Sequence, residues 1–190
     1  VHPDSRWLMV PDVAFGEWLV AHRAPWMVAV SEVLAEVFRP WHVLVFATVL
    51  AVLFLRRFGR ATAVRFWCAV VLAQVVTHLL KPVVGRSRPP VEWRLVVEPT
   101  AAFPSGHVTG AAALAGAMVV VFWPVLRGAG RWAAVFVAAA VTVSVAASRL
   151  ILGVHWLSDT VAGVAVAVVS LGVVGGVGTI RLRRGSPSGS

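Results

Sequence analysis

Long apolar stretches separated by short polar or basic breaks dominate the chain. His42–Leu55 is apolar and stops at Arg56, Arg57 and Arg60. Four longer runs follow: Thr62–Leu80, His107–Leu126, Trp132–Leu152 and Trp156–Ile180. Each is close to the ~20 residues a helix needs to cross a bilayer. The run at 42–55 is short for a span and must recruit residues before it. Upstream, residues 1–25 mix apolar and aromatic side chains with Asp4, Arg6, Asp12, Glu17, His22 and Arg23, as an interfacial segment does. Residues 26–39 read as a helical approach, kinked or ended at Arg39-Pro40. The tail, 185–190, holds only Gly, Ser and Pro and reads as disordered. The pattern therefore predicts an all-α fold, a polytopic membrane helical bundle of five to six transmembrane helices. It forms a single domain over 1–184, with 1–39 as the interfacial and approach segment.

Composition agrees with the pattern. The 190 residues are 59% hydrophobic and 13% charged, and the mean hydropathy of +0.85 is too high for a soluble domain, which must cover its surface with polar groups. The net charge of +9 does not indicate nucleic acid. The basic residues sit in clusters between apolar runs instead of along one polar face. Cys68 is the single cysteine, which leaves no intrachain disulfide and no thiolate zinc site.

Charge also predicts orientation. Arg56, Arg57, Arg60, Arg65, Arg127, Arg131, Arg181, Arg183 and Arg184 fall in three breaks separated by two spans each, and no acid accompanies them. By the positive-inside rule that face is cytoplasmic, and so is the C-terminus. Regions 1–40, 81–106 and 148–159, which hold all eight acids, then share the opposite face. The chain begins with Val1 and shows no signal peptide, so a further upstream helix is expected.

Titratable residues gather on that opposite face. Lys81 ends an apolar run, and Arg86 and Arg88 follow, stiffened by Pro89-Pro90. Lys81 alone reads equally well as a snorkelling side chain, but three close cations suit a phosphate. Pro104-Ser105-Gly106-His107 opens the next run. Pro and Ser start helices, a helix N-terminus binds anions, and Gly106 lets a ligand approach the backbone. Ser148-Arg149 precedes His155 and Asp159, which share a helix face at i, i+4. A carboxylate there can fix the imidazole tautomer. Each piece alone is also explained by capping or by an interfacial position. Glu92, Trp93, Arg94 and Glu98 read as solvated loop, His78 as structural, and Trp26, Trp41, Trp93, Trp123, Trp132 and Trp156 as interfacial belts.

In order and spacing the set is Lys81 with Arg88-Pro89, then Pro104-Ser105-Gly106-His107, then Ser148-Arg149 with His155 and Asp159. It resembles the type 2 phosphatidic acid phosphatase family, with its acid phosphatase and vanadium haloperoxidase relatives, over about residues 40–180. The resemblance implies that His155 is the nucleophile and forms a phosphohistidine, that Asp159 orients it, and that His107 protonates the leaving oxygen and then activates water. It implies that Lys81, Arg88, Ser105, Gly106 and Arg149 hold the phosphate, with no metal and no cofactor. Asp159 is the only acid inside the motifs, too few oxygen ligands for magnesium.

The expected protein is an integral lipid phosphatase of the bacterial inner membrane, with an extracytoplasmic site that meets a lipid phosphate among membrane lipids and no nucleic acid. An Ala/Val/Gly/Arg-rich composition favours a polyprenyl (undecaprenyl) diphosphate substrate. Phosphatidic acid and phosphatidylglycerophosphate are the alternatives. A lipid phosphotransferase, a vanadate-binding peroxidase and a non-catalytic membrane scaffold or transporter are the other classes. The sequence carries no signal of oligomeric state.

Overall fold

Proline and glycine set most helix boundaries in the computed structural model, which describes the backbone of residues 6–184 and side chains from 9 to 176. The expected disordered tail, 185–190, lies outside the described residues. Among the described residues seven α-helices follow one another: α1 (Arg6–His22), α2 (Pro25–Val37), α3 (Pro40–Phe58), α4 (Arg60–Val84), α5 (Gly106–Phe122), α6 (Ala129–Ile151) and α7 (Leu157–Arg184). Pro25 and Pro40 occupy first helical positions, where a missing N–H costs nothing. The expected approach segment is thus two separate helices, α1 and α2, and α2 ends before Arg39 without continuing into α3.

Helix α5 is the axis. It packs against α3, α4, α6 and α7, and ten of its seventeen residues are buried. Small residues make this possible. Ala111 and Ala113 are fully buried and Ala117 nearly so, and Gly163 of α7 lies against the start of α5. A Cβ on Gly163 would stand 3.0 Å from the Ser105 carbonyl oxygen and 3.1 Å from Thr109 Oγ1. The end of the bundle away from the site is filled by edge-to-face aromatics: Phe54 meets Phe66 at 5.0 Å and Phe122 at 5.9 Å.

The number of spans corrects the expectation of five to six. Among the described residues four helices are long and apolar enough to cross a membrane: Pro40–Phe58, Arg60–Val84, Ala129–Ile151 and Leu157–Gly176. The run expected to span at His107–Leu126 forms only the 17-residue α5. Pro124 lies just beyond its end, where it cannot continue the helix. Because α5 sits inside a ring of other helices, packing partners replace lipid along most of its length.

Candidate active site

Four helix ends, a loop and a turn meet at a single end of the bundle. Lys81 comes from the last turn of α4, Arg86, Arg88 and Glu98 from the loop 85–105, and Ser105, Gly106 and His107 from the start of α5. Arg149 comes from the last turn of α6, His155 from the turn between α6 and α7, and Asp159 from the first turn of α7. Arg149 is 1% exposed, Asp159 and Ser105 are fully buried, His155 is 4% exposed and His107 7%. Such groups leave water only where partners compensate them.

The His155 turn is held by backbone contacts. Gly153 has φ +67, and a Cβ there would overlap the Trp93 carbonyl. Only glycine allows both the left-handed conformation and that approach. Leu95 N–H donates to the Leu152 carbonyl at 3.0 Å, which ties the loop to the turn. His155 precedes α7 instead of lying within it, yet Asp159 still reaches it. Nδ1 of His155 is 3.4 Å from Asp159 Oδ2, and the same oxygen accepts the Trp156 N–H at 2.9 Å. The other ring nitrogen, Nε2, lies 3.4 Å from Arg88 Nη1. One nitrogen thus faces a carboxylate and the other faces the cations. Burial comes first, with Arg88, Arg149 and Lys81 adding to it, in holding the His155 imidazole well below its ordinary pKa. The ring is neutral at neutral pH.

The cations are occupied by protein groups. Lys81 Nζ donates to the Ala101 carbonyl at 2.6 Å. Arg88 donates to the carbonyls of Thr100 at 2.8 Å and Val154 at 2.6 Å. Arg149 Nη2 donates to Glu98, whose second oxygen is 3.9 Å from Arg88 Nη2. Ser105 Oγ and Arg149 Nε are buried without a hydrogen-bond partner, and no side chain caps the N-terminus of α5. Unspent donors and free helix N–H groups at one spot are suited to an anion. His107 is within electrostatic reach of both Arg149 and His155. Every residue assigned to the site from sequence is therefore in this one region. Among the described residues, no group of three His, Cys, Asp or Glu side chains is placed to hold a metal ion.

Several readings change. Glu98 is not solvated loop; it is the anionic partner of Arg149. Trp156 is not an interfacial residue; it is 6% exposed, its indole N–H donates to the Ser87 carbonyl at 2.9 Å, and its ring meets Trp93 edge-on at 6.1 Å. Arg86 serves a carboxylate instead of adding a fourth phosphate cation: its Nη1 donates to Asp159 Oδ1 at 2.6 Å. Asp12 of α1, which carried no signal beyond being an acid in an interfacial segment, is 3% exposed and pairs with Arg86 at 2.6 Å. Gly106 packs closely, with Pro40 Cγ 3.4 Å from the position of a Cβ. His78 lines a groove of about 310 Å³ with Pro40, Gln74, Thr77, Lys81 and Gly106.

A family model described as the PAP2 superfamily matches residues 62–177, which include every motif residue of the site. The chain belongs to the PAP2 superfamily. As a PAP2 protein with membrane-spanning helices it is a membrane lipid phosphatase. Solved structures share its architecture. A phosphatidylglycerolphosphate phosphatase from Bacillus subtilis is similar with a TM-score of 0.82 at 20% identity, covering 97% of this chain and 90% of that one. LpxE from Aquifex aeolicus is similar with a TM-score of 0.62 at 13% identity, covering 86% of this chain and 93% of that one. No protein curated for function matches the sequence.

Proposed function

We propose that this PAP2 protein hydrolyses the phosphate ester of a glycerolipid, phosphatidylglycerophosphate or phosphatidic acid, through a phosphohistidine on His155. The observation that carries the reading is the two-sided environment of His155: Nδ1 toward Asp159 and Nε2 toward Arg88. With Nδ1 facing the carboxylate at 3.4 Å, that nitrogen is the one to carry the proton, and the Nε2 lone pair, which accepts from Arg88 in the empty protein, attacks once the phosphate takes Arg88 as its partner. In the first step an N–P bond forms, the ester P–O bond breaks, and His107, whose pKa burial and Arg149 lower to about 2 in the empty protein and which the bound phosphate dianion protonates by offsetting them, gives its proton to the departing oxygen. In the second, His107 takes a proton from water, the new P–O bond forms, and the P–N bond breaks to restore His155. Lys81, Arg88, Arg149, Ser105 and the α5 N-terminus hold the phosphoryl oxygens, whose charge they match. The phosphate replaces the backbone carbonyls and Glu98 as partner of these cations.

The preference for a polyprenyl diphosphate rested on composition alone, and the likeness in fold to a phosphatidylglycerolphosphate phosphatase favours a glycerolipid over it. The location that fits is the inner membrane of a bacterium, with the site extracytoplasmic and the C-terminus cytoplasmic, as the arginine clusters direct.

Phosphate release by the purified protein from phosphatidylglycerophosphate, phosphatidic acid and undecaprenyl diphosphate tests the substrate. Faster release from undecaprenyl diphosphate than from both glycerolipids refutes the preference. Activity that survives His155→Ala refutes the nucleophile, activity lost to EDTA refutes the metal-free chemistry, and a cytoplasmic reporter at residue 95 refutes the orientation.

A further inference from the structure

Helix α1 lies against α6 and α7 and brings one carboxylate into the catalytic end of the bundle. Asp12 Oδ2 accepts from Arg86 Nη2 at 2.6 Å and from the Ser158 hydroxyl at 2.5 Å, and Oδ1 accepts the Ser158 backbone N–H at 2.9 Å. That N–H belongs to the first turn of α7 and has no partner within the helix. Asp12 thus caps α7 from another helix, one residue before Asp159.

Arg86 links the two acids. Its Nη1 donates to Asp159 Oδ1 and to Ser158 Oγ, both at 2.6 Å. Its Nη2 reaches Asp12 and, at 3.4 Å, Met9 Sδ. The guanidinium lies 5.8 Å from the Trp156 ring centroid. Two further contacts fix α1 to the same loop: Gly16 packs on Trp93, and Arg23 Nη1 donates to the Trp93 carbonyl at 2.8 Å.

Charge explains why two acids share one arginine. Asp159 and Arg86 alone would sum to zero beside His155, which already faces Arg88, Arg149 and Lys81. Adding Asp12 leaves the triad at minus one. That charge balances the imidazole as its Nε2 takes on phosphorus and becomes cationic. A guanidinium shared between two carboxylates also draws less electron density from Asp159 than one devoted to it.

From this geometry we infer that Asp12 is a positioning residue for the His155–Asp159 pair and acts through Arg86. It touches neither substrate nor the reacting atoms. The inference rests on His155 being the nucleophile.

The test is a double-mutant cycle on the full chain in detergent micelles with short-chain phosphatidic acid. Asp12→Asn keeps an oxygen for the Ser158 N–H and removes only the charge. It is expected to lower kcat on the order of 10- to 100-fold, with KM within about twofold because the phosphate cations are untouched. In an Arg86→Gln background the same change is expected to cost less than about twofold, because its route to Asp159 is already cut. Full additivity, or a loss carried by KM, overturns the inference and leaves Asp12 a cap. If Asp12→Asn does not fold, Asp12→Glu decides: it retains the charge and should keep kcat within about tenfold of the parent, and a loss beyond that refutes the role. His155→Ala separates the two levels. Turnover in that variant overthrows the nucleophile itself, whereas additive Asp12 and Arg86 effects with His155→Ala inactive overthrow only the role of Asp12.

Discussion

Glu98 occupies the cations proposed to bind the phosphate, so removing its charge should both weaken the empty protein and tighten anion binding. The side chain contacts Arg149 and stands 3.9 Å from Arg88. Two charges about 4 Å apart interact by roughly 4 kcal/mol at an effective dielectric of 20. Glu98 is 23% exposed and Arg149 1%, so solvent reduces this, and a charge-assisted bond nets about 1.5–3 kcal/mol. Glu98→Gln gives up that amount in the empty protein. Once phosphate occupies the cations, the wild-type carboxylate has lost its partners and faces a second anion, so the variant loses little. The difference, about 2 kcal/mol, is roughly 30-fold in affinity. Isothermal titration of inorganic phosphate into the purified protein, with the inhibition constant of phosphate in the hydrolysis assay beside it, reads this directly. Expected are a lower melting temperature without phosphate and a dissociation constant about 10- to 100-fold smaller. An unchanged or weaker phosphate affinity would show that Glu98 and phosphate do not compete, and that the anion sits elsewhere.

Gly153→Ala puts a Cβ into the Trp93 carbonyl and strains a φ of +67. The conformation alone costs about 1–2 kcal/mol, and the displaced His155 turn should cut kcat at least tenfold, checked by thermal unfolding and turnover together. Burial and the neighbouring cations hold the His155 pKa down, so below pH 6.5 the unfolded chain takes up a proton that the folded chain refuses. Stability from this group is therefore complete above pH 6.5 and falls by up to about 1.4 kcal/mol per unit as pH drops below it. Melting curves of His155→Asn should lack that slope. Gly163→Val should separate α7 from the start of α5, where even a Cβ is 3.0 Å from the Ser105 carbonyl. Overpacking of this kind costs about 1–3 kcal/mol, measurable as a lower melting temperature with a matching loss of turnover.

The residues gathered at the candidate site were legible in the sequence because charged groups near the ends of apolar helices stand out. Lys81, Arg88, His107, Arg149, His155 and Asp159 each interrupt or border such a run. The groups that hold them were not legible. Asp12 and Ser158 are separated by 146 positions, and Glu98 and Arg149 by 51. Such pairs carry no periodicity; only the packing of α1 and the path of the loop bring them together. Trp156 misled because Trp at a span end is ordinarily an interfacial anchor, and nothing local distinguishes one that folds inward onto Trp93. The span count failed because hydropathy does not mark where a helix stops: the apolar run continues past Phe122, but α5 ends there at 17 residues, just before Pro124.

The short central helix has a consequence for how products part. Seventeen residues make a helix about 25 Å long, less than the ~30 Å thickness of a hydrocarbon core. In the proposed orientation Arg127 and Arg131, past its far end, mark the opposite surface, and the turn that carries His107 would then end a few ångströms below the headgroup plane. A lipid phosphate would dip slightly to react. The two products have opposite solubilities: orthophosphate would be drawn to water, while the dephosphorylated lipid would stay in its leaflet. Depth in the bilayer would thus act as a sorting device, discouraging the reverse reaction without any moving part.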